Sequence, residues 1–273
     1  MSVRSRFRAW IPPALLAMQR RALGHVLRFD DVLDGWAQAI GQSSGYATDL
    51  IVQRVATAAR EVIAGRAVFE RDSVLFHEPE FRYPIVAALM RSAALNSGCL
   101  EVVDFGGSLG STYRQCQPFL AGLRHVRWCI VEQPHFAETG RREFGTAELV
   151  FYASLSELPP SSVPRLVLLS SVMQYLEHPD AVLDELLAIK PAHLVIDRTP
   201  MSSLADHWLT IQHVPRCVYK ASYPCWVLSR KKLLDHLARR WRVVSEFDCD
   251  EGHARSSGGL RFEFRGLYLE RRE

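Results

Sequence analysis

An acidic residue and three glycines that could hold a nucleotide lie between an apolar run and a predicted helix. The run covers 99–105 and includes Asp104 near its end, and Gly106, Gly107 and Gly110 follow it. A buried parallel strand that turns tightly into a helix beside a bound ligand has this order of residues. The sequence therefore predicts a ligand-binding turn after the first strand of a sheet.

The spacing of the glycines narrows the choice of nucleotide. A dinucleotide fingerprint starting at Gly106 needs glycine at positions 108 and 111, where this chain has Ser108 and Ser111. A phosphate-binding loop for ATP or GTP ends in Gly-Lys-Ser or Gly-Lys-Thr, and the turn contains no lysine. The pattern therefore argues against NAD, ATP and GTP.

A second acid supports a nucleoside ligand. The apolar run 126–131 ends at Glu132, roughly 20 residues beyond the glycine turn. An acid at the tip of a second strand can accept hydrogen bonds from both hydroxyls of a ribose. We therefore interpret Glu132 as a ribose ligand; the alternative is a polar residue that merely leaves a strand.

The acid and glycines together resemble the first motif of class I S-adenosylmethionine methyltransferases. The acid stands two residues before Gly106, and Gly110 closes the turn; the usual middle glycine is replaced by Ser108, with Gly107 one place earlier. The resemblance implies that the backbone approaches the methionine part of the cofactor. A purely structural strand turn remains the alternative at this point.

The elements that must position this turn alternate along the chain. Five strands separated by helices are predicted, and after a helix over 229–241 two more strands follow, the last with alternating apolar and charged residues. This order predicts an α/β fold, a doubly wound, mostly parallel seven-stranded sheet of Rossmann-like type closed by an antiparallel hairpin, as in class I methyltransferases. The predicted strands are 99–105, 126–131, 149–152, 163–170, 194–196, 242–247 and 260–269.

Three divisions of the chain are predicted. Residues 1–29 form a basic segment, 30–98 form a cap of helices, and 99–273 form the methyltransferase-like domain. Within that domain, 198–228 is rich in aromatic residues and prolines, and we predict an insertion at the binding edge of the sheet that forms the acceptor pocket.

Composition bounds the function and the location. The chain has 273 residues, 48% of them hydrophobic, and a net charge of +3, which does not favour nucleic-acid binding. Six cysteines show no metal-ligand spacing, so no metal site is predicted. Without a signal sequence or membrane span, we predict a cytoplasmic protein.

The basic N-terminus suggests a second location. The first 29 residues carry six arginines and no acid, and the apolar residues among them could form an amphipathic helix on anionic lipid at the inner face of the membrane. The alternatives are a tail followed by a helix packed on its own protein, or an organellar targeting peptide.

Six sequence blocks together resemble a family of bacterial methyltransferases associated with surface-polysaccharide biosynthesis. The resemblance spans about 34–250 and implies a class I methyltransferase fold with S-adenosylmethionine as cofactor, but it supplies no well-defined substrate. From the association with surface polysaccharides we predict the hydroxyl of a sugar or polysaccharide precursor as acceptor. The blocks are Arg71 to Phe76, Asp104 to Ser111, Val131 to Gln133, Leu169 to Leu176, Ile196 to Pro200 and Ala221 to Pro224.

The resemblance also implies roles for individual residues. Asp104 and the glycines would face the methionine moiety, Glu132 the ribose and Ser154 the adenine, while Gln174 and Tyr175 would begin the acceptor side. The full predicted cofactor set is Asp104, Gly106, Gly107, Ser108, Gly110, Glu132, Gln133, Ser154 and Ser171. The predicted substrate set, which adds residues of the segment 198–228, is Gln174, Tyr175, Arg198, His207, Tyr219 and Tyr223.

Methyl transfer to a sugar hydroxyl requires a group that removes its proton. His213, in the segment 198–228, is the first candidate for this base, and Asp197, at the end of the fifth predicted strand, is the second. Structural roles are the alternative for both, because Asp197 could simply pair with Arg198.

Two other functions remain open. The fold could bind S-adenosylmethionine or another nucleotide without transferring a methyl group, as a scaffold in a surface-glycan assembly. A nucleotide-sugar or NAD enzyme would share Glu132 as the ribose ligand, but Ser108 and Ser111 weaken that interpretation.

Overall fold

The computed structural model describes residues 27–44, 48–159, 166–214 and 221–272. The basic segment 1–26 and Tyr219, to which predictions were attached, lie outside these residues. The described chain forms two compact units: the smaller takes 27–44, 209–214, 221–224 and 255–260, and the larger takes the rest.

The larger unit is built on a sheet in the order β6-β5-β4-β7-β8-β12-β11. Strands β4 to β8 are parallel to one another, and β12 runs antiparallel to β8. The strands are β4 (Cys99–Phe105), β5 (His125–Val131), β6 (Leu149–Tyr152), β7 (Leu166–Ser170), β8 (His193–Ser202), β11 (Trp241–Arg255) and β12 (Arg261–Arg271). This topology confirms the predicted doubly wound sheet closed by a hairpin.

Helices connect the parallel strands, and their apolar faces cover the sheet. The central strands are buried on both faces, because adjacent residues, which point to opposite faces, are both buried, as Val102 and Val103 of β4 show. The helices of this unit are α2 (Thr48–Ile63), α3 (Tyr83–Leu95), α4 (Ser111–Leu120), α5 (Pro134–Glu143), α6 (Pro179–Ala188) and α7 (Arg230–Leu237). The last helix begins with a serine cap, because Ser229 Oγ accepts a hydrogen bond from Lys232 N.

The prediction that 30–98 contains only helices is wrong. This stretch also contains the end of strand β1 (Arg28–Asp31) and a hairpin formed by β2 (Phe69–Arg71) and β3 (Val74–Phe76). Asp72 and Ser73 both have positive φ, 51° and 66°, as a two-residue turn between twisted strands requires. Aspartate tolerates that conformation, but charges mixed with aromatic residues hid the strand pattern. Helices α2 and α3 belong to the same compact unit as the sheet.

The segment 198–228, predicted as an insertion that forms the acceptor pocket, consists largely of strands where the structure describes it. Strand β8 continues to Ser202, and β9 (Trp208–His213) and β10 (Ser222–Ser229) occupy most of the described remainder. The aromatic and β-branched residues that suggested a pocket are also the types that favour strands. In the larger unit, the end of β10 pairs parallel with Met201 and Ser202 of β8.

The smaller unit joins distant parts of the sequence. Strand β1 (Arg28–Asp31) runs antiparallel to β9, and helix α1 (Trp36–Gln42) follows it. Asp31 Oδ2 accepts a hydrogen bond from Ser256 Oγ at 2.9 Å, and Asp31 N donates to Ser257 Oγ at 3.0 Å. These bonds tie the first described strand to the connection between the last two.

Candidate active site

The predicted cofactor residues lie at the carboxyl ends of neighbouring strands. Asp104 belongs to β4, Glu132 follows β5, Ser154 follows β6 and Ser171 follows β7. Because these strands are parallel, their carboxyl ends share one edge of the sheet. The chain proceeds from β4 to β5 and β6 on one side and then to β7 and β8 on the other, which creates the crevice where doubly wound sheets bind ligands.

The glycine turn has room for backbone only. A Cβ on Gly106, whose φ is 74°, would lie 2.5 Å from Val172 Cγ2, and one on Gly107 would lie 2.5 Å from the carboxyl carbon of Asp104. The backbone of the turn therefore passes close to the end of β7 and directly over the acid. Such a cradle suits a ligand that contacts main-chain atoms.

Ser108 takes a conformation that glycine usually supplies. Its φ is 54°, in the left-handed region where an L side chain is strained by about 1 kcal/mol. This finding explains the departure from the first methyltransferase motif: the turn has the conformation of a glycine at this position, with serine adopting it.

Asp104 supports the turn from beneath. Its side chain is 1% exposed, and its Oδ2 accepts a hydrogen bond from Trp128 Nε1 at 3.0 Å. Burial, with a smaller contribution from the negative charge of Glu132, raises the pKa of Asp104 to about 7, while the Trp128 bond opposes the shift. The acid predicted to face the methionine moiety is thus covered by Gly107 and Trp128. Trp128 was predicted only as part of a strand.

Glu132 lies beside the turn, as the ribose prediction requires. Its carboxylate accepts hydrogen bonds from the backbone of Gln133, at 2.6 Å, and of Ser108. Burial raises the pKa of Glu132 and these bonds oppose the shift. A carboxylate has about four acceptor positions, so two ribose hydroxyls can still be bound. The Gln133 side chain is exposed, and Ser154 Oγ lies 2.8 Å from Ser156 Oγ.

The β2–β3 hairpin supplies residues that the sequence did not reveal. Buried Glu70 accepts hydrogen bonds from the hydroxyl of Ser111, the first residue of α4, and from Ser73 N. At the turn of the hairpin, the negative charge of Asp72 acts on Arg198 of β8. Burial alone would lower the pKa of Arg198, but the nearby carboxylates, with Asp72 contributing most among them, raise it. The hairpin therefore interacts both with the helix after β4 and with the end of β8.

One buried amide joins the segment after β7 to the middle of β8. Gln174 Nε2 lies 3.1 Å from Ser171 Oγ and 3.3 Å from the carbonyl oxygen of Arg198. Both contacted residues have positive φ, 57° and 49°. Strained backbone of this kind persists where the surroundings hold it and clusters at functional sites.

Three polar groups near this point have unused hydrogen-bonding capacity among the described residues. Gln174 Oε1 and Glu251 Oε2 are buried and lack a hydrogen-bond partner there. The guanidinium of Arg198, whose side chain is 15% exposed, lies 3.8 Å from the carboxylates of Asp197 and Glu251, beyond hydrogen-bond distance. Donors and acceptors are thus mixed on the acceptor side of the crevice.

Asp197 is committed to an ion pair. Its Oδ1 lies 2.6 Å from Arg82 Nη2, its Oδ2 accepts from Ser170 Oγ at 3.0 Å, and the side chain is 1% exposed. Both carboxylate oxygens of Asp197 are therefore already occupied. This arrangement supports a structural role for Asp197, with Arg82 as the closer partner and the predicted partner Arg198 at 3.8 Å.

The two candidate histidines differ in their contacts. His207 uses both ring nitrogens: Nδ1 accepts from Ser229 N at 2.9 Å, and Nε2 lies 3.1 Å from Asp180 Oδ1. The predicted substrate-binding role of His207 therefore has no support from its contacts. His213 belongs to the smaller unit, and its Nε2 lies 2.8 Å from Asp30 Oδ2.

The remaining predictions are placed as follows. Tyr175 ends a short 3-10 helix after β7, and Tyr223 is half-buried in β10. Across residues 27–44, 48–159, 166–214 and 221–272, no group of three or more histidine, cysteine or acidic side chains could hold a metal ion. Within those same ranges, no helix is long and apolar enough to cross a membrane.

Comparisons with known proteins were made on this background. No protein-family model and no curated protein match the sequence. Among solved structures, the chain is similar to a Burkholderia thailandensis 1,6-didemethyltoxoflavin N1-methyltransferase with bound S-adenosylhomocysteine, at 17% identity and a TM-score of 0.45, covering 90% of this chain and 95% of that one.

Two further similar structures have comparable scores. The N-terminal domain of EvdMO1, in the presence of SAH and D-fucose, has 16% identity and a TM-score of 0.44 over 80% of this chain and 97% of that one. Magnesium protoporphyrin IX methyltransferase of Synechocystis PCC 6803 has 15% identity and a TM-score of 0.44 over 70% and 77%.

Proposed function

We propose that this protein is an S-adenosylmethionine-dependent methyltransferase that acts on a hydroxyl of a sugar or polysaccharide precursor. The observation that carries the proposal is the glycine turn at the switch point of the sheet, with the Glu132 carboxylate beside it. When bound, S-adenosylmethionine supplies an electrophilic methyl group on a positively charged sulfur.

The charges around the turn suit a cationic cofactor. Asp104, Glu132 and Glu70 all lie near the turn or the start of α4, and two backbone N–H groups already direct the Glu132 carboxylate. Gly106 and Gly107 would let the main chain approach the methionine part, and Glu132 would bind the ribose hydroxyls. Carboxylate charge at this turn, from Glu132 and, above about pH 7, from Asp104, lowers the cost of placing a sulfonium in a partly dehydrated crevice.

The acceptor side suits a hydroxylated molecule. A hydroxyl group both donates and accepts hydrogen bonds, and Arg198 offers donors while Gln174 Oε1 and Glu251 Oε2 offer acceptors. These residues would orient the acceptor for in-line attack on the methyl group, and such positioning supplies much of the catalysis of a displacement.

His213 is the proposed base. It would take the proton from the attacking hydroxyl, and the Asp30 carboxylate at 2.8 Å would stabilise the imidazolium that forms. Methyl transfer from labelled cofactor into lipid-linked glycans or polysaccharide extracts tests this role. His213→Gln should lower kcat at least tenfold and leave S-adenosylhomocysteine affinity unchanged, and equal kcat would exclude the base.

Calorimetry with S-adenosylmethionine, S-adenosylhomocysteine and NAD tests the cofactor. The first two should bind, and Glu132→Ala should weaken binding by roughly 1 to 3 kcal/mol, because a buried hydrogen-bonded pair is lost. Glu138→Ala, an exposed acid on α5, is the matched control. Unchanged affinity in the Glu132 variant would remove the ribose assignment.

A catalytically silent scaffold that binds the same cofactor in a surface-glycan assembly is the second proposal. It is favoured by the structural commitments of Asp197 and His207, which leave fewer groups for proton removal. Cofactor binding without label transfer to a broad panel of glycan acceptors would support it over the enzyme.

A further inference from the structure

The helix after the glycine turn begins without a capping group of its own. The residue before α4 is Gly110, which offers no side-chain hydrogen bond, and the first turn of this fully described helix contains no acid. The backbone N–H groups at the start of such a helix carry partial positive charge. In doubly wound dinucleotide-binding proteins, this is where the pyrophosphate binds.

In this protein a carboxyl group from elsewhere in the sequence reaches that place. Glu70 of β2 is 3% exposed, and it accepts hydrogen bonds from the Ser111 hydroxyl and from Ser73 N at 3.2 Å. Burial raises the pKa of Glu70, while the bond from Ser111 opposes that shift. The carboxyl group is therefore part of the interior at the start of α4.

The hairpin that carries Glu70 is built to hold it in position. The rings of Phe69 and Phe76 stack across the two strands with centroids 4.5 Å apart, and the Arg71 guanidinium lies 5.7 Å from each ring. The tight turn at Asp72 and Ser73 fixes the register of the hairpin. Moving Glu70 aside would disturb this packing.

We propose that Glu70 is a specificity-determining residue that excludes phosphate-bearing nucleotides from the crevice. Its carboxyl oxygens take the hydroxyl at the start of α4 that a phosphate would otherwise use, and a phosphate placed there would meet a group of like charge. A nucleoside whose tail is a sulfonium amino acid carries no net negative charge and meets far less repulsion. The inference rests on the proposed function in that it assumes a nucleoside in this crevice.

The positive charge of Arg114 does not reverse the preference for a nucleoside without phosphate. Arg114, on α4, acts on Glu70, but its guanidinium donates to the carbonyl oxygen of Leu109 and lies 5.6 Å from the ring of Phe144. Arg114 therefore stabilises the turn and balances Glu70, so a phosphate would have to displace an existing arrangement.

Adenosine and ADP are the probes that separate the two kinds of site. Calorimetry on the wild-type protein should show adenosine binding at least tenfold more tightly than ADP, whereas a pyrophosphate-binding crevice would show the reverse. This comparison needs no variant, and ADP binding equal to or tighter than adenosine binding would overturn the proposal.

Variants then assign the preference to Glu70. In Glu70→Gln, which keeps an acceptor for Ser111, ADP affinity should rise at least tenfold relative to S-adenosylhomocysteine affinity. Glu80→Gln, which removes an exposed acid paired with Arg71 at 2.9 Å, is the control and should leave that ratio within twofold. A folded Glu70→Gln protein with an unchanged ratio would contradict the inference. Failure of the wild-type protein to bind S-adenosylhomocysteine would instead contradict the proposed function. The two failures can be told apart, because the comparison of adenosine with ADP does not use S-adenosylhomocysteine.

Discussion

Two carboxyl groups with the same exposure, 1%, lie at the same edge of the sheet and have opposite partners. Asp104, beneath the glycine turn, is held by a tryptophan N–H and has a raised pKa of about 7. Asp197 lies in the middle of β8, beside the last residue of β7, and its carboxylate is 2.6 Å from the Arg82 guanidinium. A neutral hydrogen bond stabilises the buried carboxyl group of Asp104, and an ion pair stabilises that of Asp197.

This difference divides the crevice into two chemically distinct sides. The glycine-turn side carries the acids Asp104, Glu132 and Glu70, while on the β8 side two arginines offset the acids. A positively charged cofactor gains most from the first side, and a neutral, hydroxylated acceptor fits the second. The placement of charge thus suggests which ligand lies where.

Removing the cation from the β8 side should have the largest effect. Arg82→Met would leave Asp197 buried without its partner and should lower the free energy of unfolding by about 3 to 5 kcal/mol in urea denaturation. Adding Asp197→Asn should recover part of this loss, because an amide carries no charge. Equal losses in the single and double variants would show that the ion pair is not the cause.

Changing the acid on the other side should alter the pH dependence of stability. Asp104 keeps its proton in the folded protein up to about pH 7, while in the unfolded chain it releases it near pH 4. Its contribution is therefore complete below about pH 4 and is lost as pH rises through about 7, by up to roughly 4 kcal/mol. Asp104→Asn should remove this slope in denaturation curves between pH 4.5 and 8, and an unchanged slope would contradict the burial of a titrating acid.

Deleting the tryptophan donor should have a smaller effect on the same side. Trp128→Phe leaves the Asp104 carboxyl without its N–H partner and should lower the free energy of unfolding by about 1 to 3 kcal/mol at pH 8. The loss should shrink at pH 5, where the carboxyl is protonated. A loss that is identical at both pH values would assign the effect to packing alone.

Relieving the strain at Ser108 should have the smallest effect. Ser108→Gly removes a left-handed serine but frees the unfolded chain, so the free energy of unfolding should change by less than about 1 kcal/mol. Gly106→Ser is the contrast, because its Cβ would collide with Val172, and it should destabilise clearly. A large loss in Ser108→Gly would mean that the hydroxyl itself is needed.

The same comparison shows what the sequence could predict. The sheet, the glycine turn and Glu132 follow from local patterns of apolar runs, glycines and acids. Arg82 and Glu70 could not be found that way, because their partners Asp197 and Ser111 lie 115 and 41 residues away. Side chains that act through such distant contacts leave no spacing in the sequence.

Local patterns also misled where one residue type serves two structures. The prolines and aromatic residues after β8 predicted an insertion at the binding edge but did not reveal the strands β9 and β10 that it contains. Proline is compatible with a strand wherever its missing N–H is not needed. The strands in the stretch Phe69 to Phe76 were missed for a different reason. Each is only three residues long, and a turn that contains the charged Asp72 separates them.

The contacts of Asp31 with Ser256 and Ser257 have a consequence for biosynthesis. These residues are separated by 225 and 226 positions, so strand β1 emerges from the ribosome long before its hydrogen-bonding partners exist. The larger sheet has strands that meet neighbours made shortly after them, while β1 must wait until residues 256 and 257 have been made. Stalled or C-terminally clipped chains should therefore expose this strand, and limited proteolysis near Arg28 would report how many molecules finished folding.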